Sequence, residues 1–273
     1  MSNNIIDKKD IDDFDSEVQK YLSYFALSGM QMSLKGASQY KNLLYRSDYD
    51  VLINVRKDIA PTKVFNELKE VLERISKDDN TYFIELKLQT KEDHKTRFHH
   101  GDNFSYSDFE KDYANLKFFK IDIVMLIKNR FFEASCIYAL SNDELLTKEN
   151  IVKNIKQDIE EYLAEGNYYK VLKRWFSIYV MYNAVSSIEL LVSVFNSELG
   201  KLYEKICNLQ AIEVLHKYYK DDKTLQRINK NLELLGETFN IKTIHRKINA
   251  YLKLLNTEAR KIYKGMKDDI KYP

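Results

Sequence analysis

Apolar residues recur at two intervals along this chain: strand-like alternation mixed with helical stretches up to about residue 140, then a helical period alone. From Asp15 to Leu27, Val18, Tyr21, Leu22 and Phe25 fall on one helical face, and Gly29 is placed to end that helix. A short strand over Gln31–Lys35 and a turn at Gly36 follow. Val51, Ile53 and Val55 alternate with polar residues, which predicts a strand over Tyr49–Val55. Pro61 opens a helix with Val64, Leu68, Val71, Leu72 and Ile75 on one face. Tyr82–Leu88 alternates again. Phe118–Ile127 is the strongest strand pattern, and Phe131–Ala139 is placed to pair back onto it across Lys128-Asn129-Arg130. Residues 90–116 are polar and aperiodic, so they read as a long loop or insertion of the kind that often faces a substrate.

From Ser141 the pattern is helical only, with Ser141-Asn142-Asp143-Glu144 as a helix start and breaks near Gly166-Asn167, Gly200, Asp221-Asp222 and Asn240. The expected class is α+β: a sheet-bearing domain over residues 1–140, followed by an all-helical C-terminal domain over 141–273. A substrate cleft is expected between the two.

Composition narrows this. With 31 % charged and 44 % apolar residues the chain folds and is not disordered. Two prolines and seven glycines leave room for long helices. The net charge of +2 conceals −4 over residues 1–150 and +6 over 151–273. Such a split fits a metal site facing an anionic substrate held by a basic domain, and it also arises by chance in helical proteins. Cys136 and Cys207 lie far apart in apolar surroundings, so neither a disulfide framework nor a zinc site is indicated; they read as buried free thiols of a reducing, cytoplasmic protein. The N-terminus has no apolar signal region, and the longest apolar run, Phe176–Val185, is too short to span a bilayer, so no membrane is expected.

The chemistry is concentrated in Gly36-Ala37-Ser38, in Asp48-Tyr49-Asp50 and in Phe119-Lys120-Ile121-Asp122-Ile123. Strand geometry sends Asp48 and Asp50 to the same side of a sheet. Two carboxylates so close repel each other unless a cation or solvent screens them, and hard oxygen donors suit Mg²⁺ or Mn²⁺. Asp122 sits inside the most apolar strand, where an unpaired carboxylate costs several kcal/mol. If its strand lies beside that of Asp48 and Asp50, three carboxylates can hold two cations roughly 3.5–4 Å apart. The alternative pairs Asp122 with Lys120 or Lys117 and leaves a binding or scaffolding protein.

These motifs together resemble the DNA polymerase β-like nucleotidyltransferase superfamily, and the Asn- and Lys-rich style is similar to nucleotidyltransferase-like proteins of large DNA viruses. The resemblance implies a small mixed sheet backed by helices and Mg²⁺-dependent transfer of a nucleoside monophosphate from an NTP, ATP being favoured. It implies that Gly36, Ala37 and Ser38 meet the triphosphate, Asp48 and Asp50 bind both metals, and Asp122 binds one metal and takes the acceptor's proton. Where the family has Gly or Ser at the second turn position this chain has Ala37, which keeps backbone contact with phosphate and weakens the expectation of a hydroxyl contact. Lys170, Lys173 and Arg174, sharing a region of one helix, are the resemblance's candidates for the triphosphate; a solvated face is the alternative. An RNA 3′ end is the expected acceptor, as in poly(A) polymerases. Transfer to a small molecule or protein, and a catalytically inactive interaction protein, stay open. Arg97, His99 and His100 read as exposed loop residues, with contact to phosphate or the acceptor as the alternative, and His94 with His99 and His100 lacks the spacing of a metal site. Trp175, Phe176 and Tyr179 read as core, and the basic helix Asn240–Lys264 as a surface or a modest nucleic-acid footprint.

Overall fold

A computed structural model describes residues 8–25, 32–35, 43, 45, 48–56, 58–90, 96–128, 130–140, 148–182, 184–234 and 240–266. It divides into two compact units, one of residues 1–41, 46–143 and 207–241, the other of 42–45, 144–206 and 242–273. The sheet-bearing unit thus draws in residues 207–241 as well as the N-terminal stretch.

In the first unit the strands are β1 (Met32–Lys35), β2 (Asp48–Asn54), β3 (Thr81–Thr90), β4 (Thr96–His99), β5 (Leu116–Ile127) and β6 (Arg130–Ala139). They form one mixed sheet in the order β1-β2-β6-β5-β3-β4, in which β2 and β6 run parallel and every other neighbouring pair is antiparallel. Helices α1 (Lys8–Ser23), α2 (Pro61–Lys77) and α3 (Tyr106–Tyr113) bury their apolar faces in one core with the sheet. Phe14, Val18 and Leu22 come from α1, Val64, Leu68 and Val71 from α2, and Phe109 from α3. Alternation supplies the sheet's share: Tyr49, Val51 and Ile53 of β2, Ala134, Cys136 and Tyr138 of β6, and Phe119, Ile121 and Ile123 of β5. The buried Tyr138 hydroxyl donates to the Phe25 carbonyl, and the Tyr49 hydroxyl donates to Asp15 Oδ1 at 2.7 Å, so both tyrosine hydroxyls on that side are satisfied.

The expected loop over 90–116 contains β4 and α3. Each is too short to display a period. β4 has four residues and one described buried side chain, Phe98, and α3 has eight residues with Phe109 alone buried. A cap was there to be read: Ser105 accepts from the Asp108 N–H at 3.3 Å and starts α3. The β5–β6 hairpin turns at Lys128, whose φ of 50° is left-handed.

The remainder of this unit is the end of α7 (Glu198–Tyr218), together with α8 (Asp222–Leu234). Asp221 caps α8 by accepting from Thr224 N–H at 2.8 Å, in line with the expected break there. The Tyr219 hydroxyl donates to the Phe83 carbonyl at 2.7 Å, and its ring stacks on His100 with centroids 3.7 Å apart.

The second unit holds α4 (Lys148–Ala164), α5 (Tyr168–Tyr182), α6 (Ala184–Phe195), the start of α7 and nearly all of α9 (Ile241–Met266). The expected start at Ser141–Glu144 lies outside the described residues. Gly166, at φ 70°, ends α4, and Asn167 N–H reaches the Tyr162 carbonyl at 2.8 Å, which closes the left-handed helix terminus. Gly200 directly follows the break expected near it, which falls at residues 196–197 between α6 and α7. It lies in the first turn of α7, where a Cβ would stand 1.7 Å from the Phe195 carbonyl oxygen, so glycine is required by close approach. Trp175 and Phe176 are buried, with Tyr179 stacked on Trp175 at 5.4 Å. Cys136 is buried as expected and Cys207 only half so. Among the described residues no helix is long and apolar enough to cross a membrane.

Candidate active site

The side of the sheet away from the core is polar where β2, β6, β5 and β3 meet. Register places Asp50 opposite Ser135 on β6, Ser135 opposite Asp122 on β5, and Asp122 opposite Glu85 on β3. One residue pair further, Asp48 lies opposite Glu133. Directly paired residues send their side chains to the same face, so Asp48, Asp50, Glu133, Ser135, Asp122 and Glu85 share one surface. The buried alternation of the same strands holds them there, because slipping any strand by one residue would turn its core residues outward.

Asp122 is therefore on the side that the sequence predicts. Its strand does not lie beside β2, however: β6 intervenes, which sets the Asp50 and Asp122 backbones roughly 10 Å apart. The sequence leaves Asp122 either unpaired beside a metal or paired with Lys120 or Lys117; the structure pairs it with Lys120 and also with Lys87, which sequence reasoning did not foresee. Lys87 Nζ donates to Oδ2 at 2.8 Å, Lys120 Nζ stands 3.0 Å from Oδ1, and Ser135 Oγ donates to Oδ1 at 2.7 Å. Lys120 reaches it because residues two apart on a strand share a face. Lys87 also contacts Glu85 Oε1 at 2.7 Å, and His99 Nδ1 lies 3.7 Å from Glu85 Oε2.

The electrostatics follow from this arrangement. Burial alone would raise the Asp122 carboxyl, but the Lys120 charge and the hydrogen bonds from Lys87, Ser135 and Lys120 outweigh it and hold the group below the ordinary carboxylate value. Lys87 loses by desolvation and gains more from Asp122 and Glu85, so its ammonium is held above the usual lysine value. Glu133 goes the other way: crowding by the strands, then the negative charges of Asp122 and Asp48, push its carboxyl up. Glu133, like Ser135, Glu85 and Lys87, belongs to this surface and was passed over by sequence reasoning. Its signal was present in Phe132-Glu133-Ala134-Ser135-Cys136, where Glu133 and Ser135 are the polar beats of an otherwise apolar strand.

Asp48 and Asp50 offer hard oxygens on one face, and Mg²⁺ commonly takes one or two carboxylates plus phosphate oxygens. That pair fits such an ion. A three-carboxylate cage does not follow, since among the described residues no group of three His, Cys, Asp or Glu is arranged to hold a metal, and Asp122 is engaged by lysines. Gly36, Ala37, Ser38 and His94 lie outside the described residues, and of Arg97 only the backbone, in β4, is described. His99 and His100 are not free loop residues as expected: the Tyr218 hydroxyl lies 3.3 Å from His99 Nδ1, and His100 is stacked on Tyr219. In the second unit Lys170 lies over the Tyr162 ring at 4.9 Å and Lys173 over Tyr203 at 5.2 Å, and Arg174 Nε is 2.9 Å from Asp158 Oδ2.

No protein-family model and no curated protein matches the chain. Solved structures do match it. Two structures of a nucleotidyl transferase encoded by a Megaviridae ORFan gene superpose with TM-scores of 0.61 and 0.63, covering 94 % of this chain and 92 % and 96 % of theirs, at 12 % and 11 % identity. The M. chilensis Mg662 protein, solved in complex with GTP, superposes with a TM-score of 0.58 over 94 % of each chain at 14 % identity. Identities this low speak for architecture alone. Over nearly its whole length, this chain has the fold of the Megaviridae nucleotidyl transferase.

Proposed function

We propose that the chain is a nucleotidyltransferase that moves a nucleoside monophosphate from an NTP to an acceptor hydroxyl, with an RNA 3′ end as the acceptor. The observation that carries this reading is the shared face: Asp50 of β2 and Asp122 of β5 line up through Ser135, with Asp48 on the same side opposite Glu133, in a fold like that of nucleotidyl transferases. Asp48 and Asp50 are the residues to hold Mg²⁺ or Mn²⁺, which when bound stabilises charge on the α-phosphate and the departing pyrophosphate. Lys87 and Lys120 hold positive charge on this face, ready for triphosphate oxygens. When a triphosphate draws them away, Asp122 loses the contacts that depress its proton affinity. It then accepts the proton of the attacking hydroxyl while the new O–P bond forms at the α-phosphate and the bond to pyrophosphate breaks. Gly36, Ala37 and Ser38, and Lys170, Lys173 and Arg174, keep their assignment to phosphate on the resemblance alone.

Labelled ATP or GTP, Mg²⁺ and a short RNA provide the test; GTP is included because the Mg662 structure contains it. Extended RNA supports the proposal, and label on a protein or a small molecule moves the acceptor to that class. No label with any acceptor would sink the enzyme reading. That second reading, a non-catalytic interaction protein, is favoured by the engagement of Asp122 with two lysines. Asp48→Ala with Asp50→Ala should abolish transfer in a chain that still folds.

A further inference from the structure

Among the helices of the second unit, α9 stands apart in charge. Its sequence holds seven Lys and Arg residues against one acid, Glu258. In the same unit α4 mixes both signs, with Lys148, Lys153 and Lys156 against Glu149, Asp158, Glu160 and Glu161, the usual way for a helix surface to stay soluble. The α9 charges are also ordered. Ile244, Ile248, Leu255 and Ala259 are buried, while Lys242, Arg246, Lys253, Arg260 and Lys264 are exposed. At 3.6 residues per turn those five fall within about 40° of one another and opposite the buried set, in a stripe that rises roughly 33 Å. Phosphate groups are the polyanion that such a one-sign track suits.

Aromatic and apolar surface flanks the stripe. The Arg260 guanidinium lies 5.3 Å over the Tyr168 ring, and the rings of Tyr168 and Tyr263 are 6.3 Å apart. Both tyrosines are half-exposed. Leu254, next to Lys253, is 51 % exposed, the one large apolar side chain so open among the described residues. Charges that track a backbone, with rings nearby on which bases can stack, are the combination that holds single strands.

We propose that the outer face of α9 binds the phosphate backbone of single-stranded RNA, with Tyr168 and Tyr263 as the base-contacting surface. The choice of RNA as the polyanion rests on the acceptor proposed above; the stripe's attraction for phosphate does not. The test uses the full chain without NTP or Mg²⁺ and a labelled single-stranded oligoribonucleotide of about 20 nucleotides, read by fluorescence anisotropy across a KCl series. Binding should weaken log-linearly with salt, with a slope of about −0.7 per phosphate neutralised and therefore roughly −3 to −4 for the five cations. Replacing Lys242, Lys253 and Lys264 by Gln should flatten that slope by about 2 and weaken low-salt binding at least ~10-fold. Lys253→Glu alone should weaken it in the same direction should the triple variant prove unstable. Asp48→Ala with Asp50→Ala should bind RNA like the unaltered chain while losing transfer, which separates failure of this surface from failure of the enzyme reading. Undiminished binding by the stripe variants, no salt-dependent binding, or duplex DNA held as tightly as the single strand would each overturn the proposal.

Discussion

Lys87 Nζ stands 2.8 Å from Asp122 Oδ2, although the register partner of Asp122 on β3 is Glu85 and that of Lys87 on β5 is Lys120. The lysine reaches diagonally across the β3–β5 pair and, with Nζ 2.7 Å from Glu85, is shared between two carboxylates. One ammonium thereby offsets two negative charges that would otherwise face each other on adjacent strands.

Lys87→Met should therefore destabilise the fold by about 1–2 kcal/mol at neutral pH, a value discounted because the lysine is partly solvated. The pH profile carries the sign. Asp122 has its carboxyl held below the ordinary value, so its pairing stabilises the fold above the unfolded carboxylate pKa and is lost as pH falls through the folded one. In Lys87→Met the Asp122 pKa rises and less of this acid-side loss remains. Urea unfolding at several pH values reads it; profiles of equal shape for both proteins would refute the pairing.

Glu133 predicts the opposite behaviour. Its carboxyl is pushed up by crowding and by Asp122 and Asp48, so the folded state binds a proton more tightly than the unfolded chain does. Stability should fall as pH rises from the unfolded value toward the raised folded one. Glu133→Gln should raise the melting temperature at pH 7, with the gain fading once Glu133 is protonated. A lower melting temperature in the variant would show that Glu133 makes a favourable contact at neutral pH.

If Asp48 and Asp50 hold Mg²⁺ beside a triphosphate, Mg²⁺ with a non-hydrolysable NTP should stabilise the chain. The gain is about 2.7 kcal/mol at a ligand concentration 100 times Kd. Thermal shift measures it, and the Asp48→Ala, Asp50→Ala chain should show none. An equal shift in both proteins would place the ligand elsewhere.

The hairpin turn offers a test independent of function. Lys128 holds φ at 50°, a conformation that disfavours side chains with a Cβ, so Lys128→Gly should be neutral or stabilising by up to about 1 kcal/mol. Lys128→Val should cost about 1 kcal/mol or more. Urea midpoints decide it, with a destabilised glycine variant as the contrary outcome.

Tyr219→Phe removes the hydroxyl that bonds the Phe83 carbonyl and keeps the ring on His100. About 1 kcal/mol of stability should go with it. An unchanged unfolding midpoint would mean that this bond contributes nothing to holding residues 207–241 in the sheet-bearing unit.

Much of this was legible before any coordinates. The alternation at Val51-Ile53, at Tyr82–Leu88 and at Phe118–Ile127 determined three strands, and the same period of two dictated that Asp48 and Asp50 point one way. Pro61 marked a helix start through its fixed φ, and Asp221-Asp222 marked a break, at which Asp221 supplies a capping oxygen; neither needs a distant partner. Short elements escaped because a period cannot show itself in the four residues of β4 or the eight of α3. The break near Gly200 was legible as well, but only packing reveals that the Phe195 carbonyl occupies the space of that glycine's missing Cβ.

The polar face depended on strand order, which no local pattern encodes. The sequence by itself determined which side of its strand each acid takes, since that follows from backbone geometry alone. Only the tertiary structure decided that β6 stands between β2 and β5, that Glu133 thereby joins the surface, and that Lys87 comes from β3 to meet Asp122. Those neighbours are dozens of residues apart along the chain, and their charges act through space rather than along it.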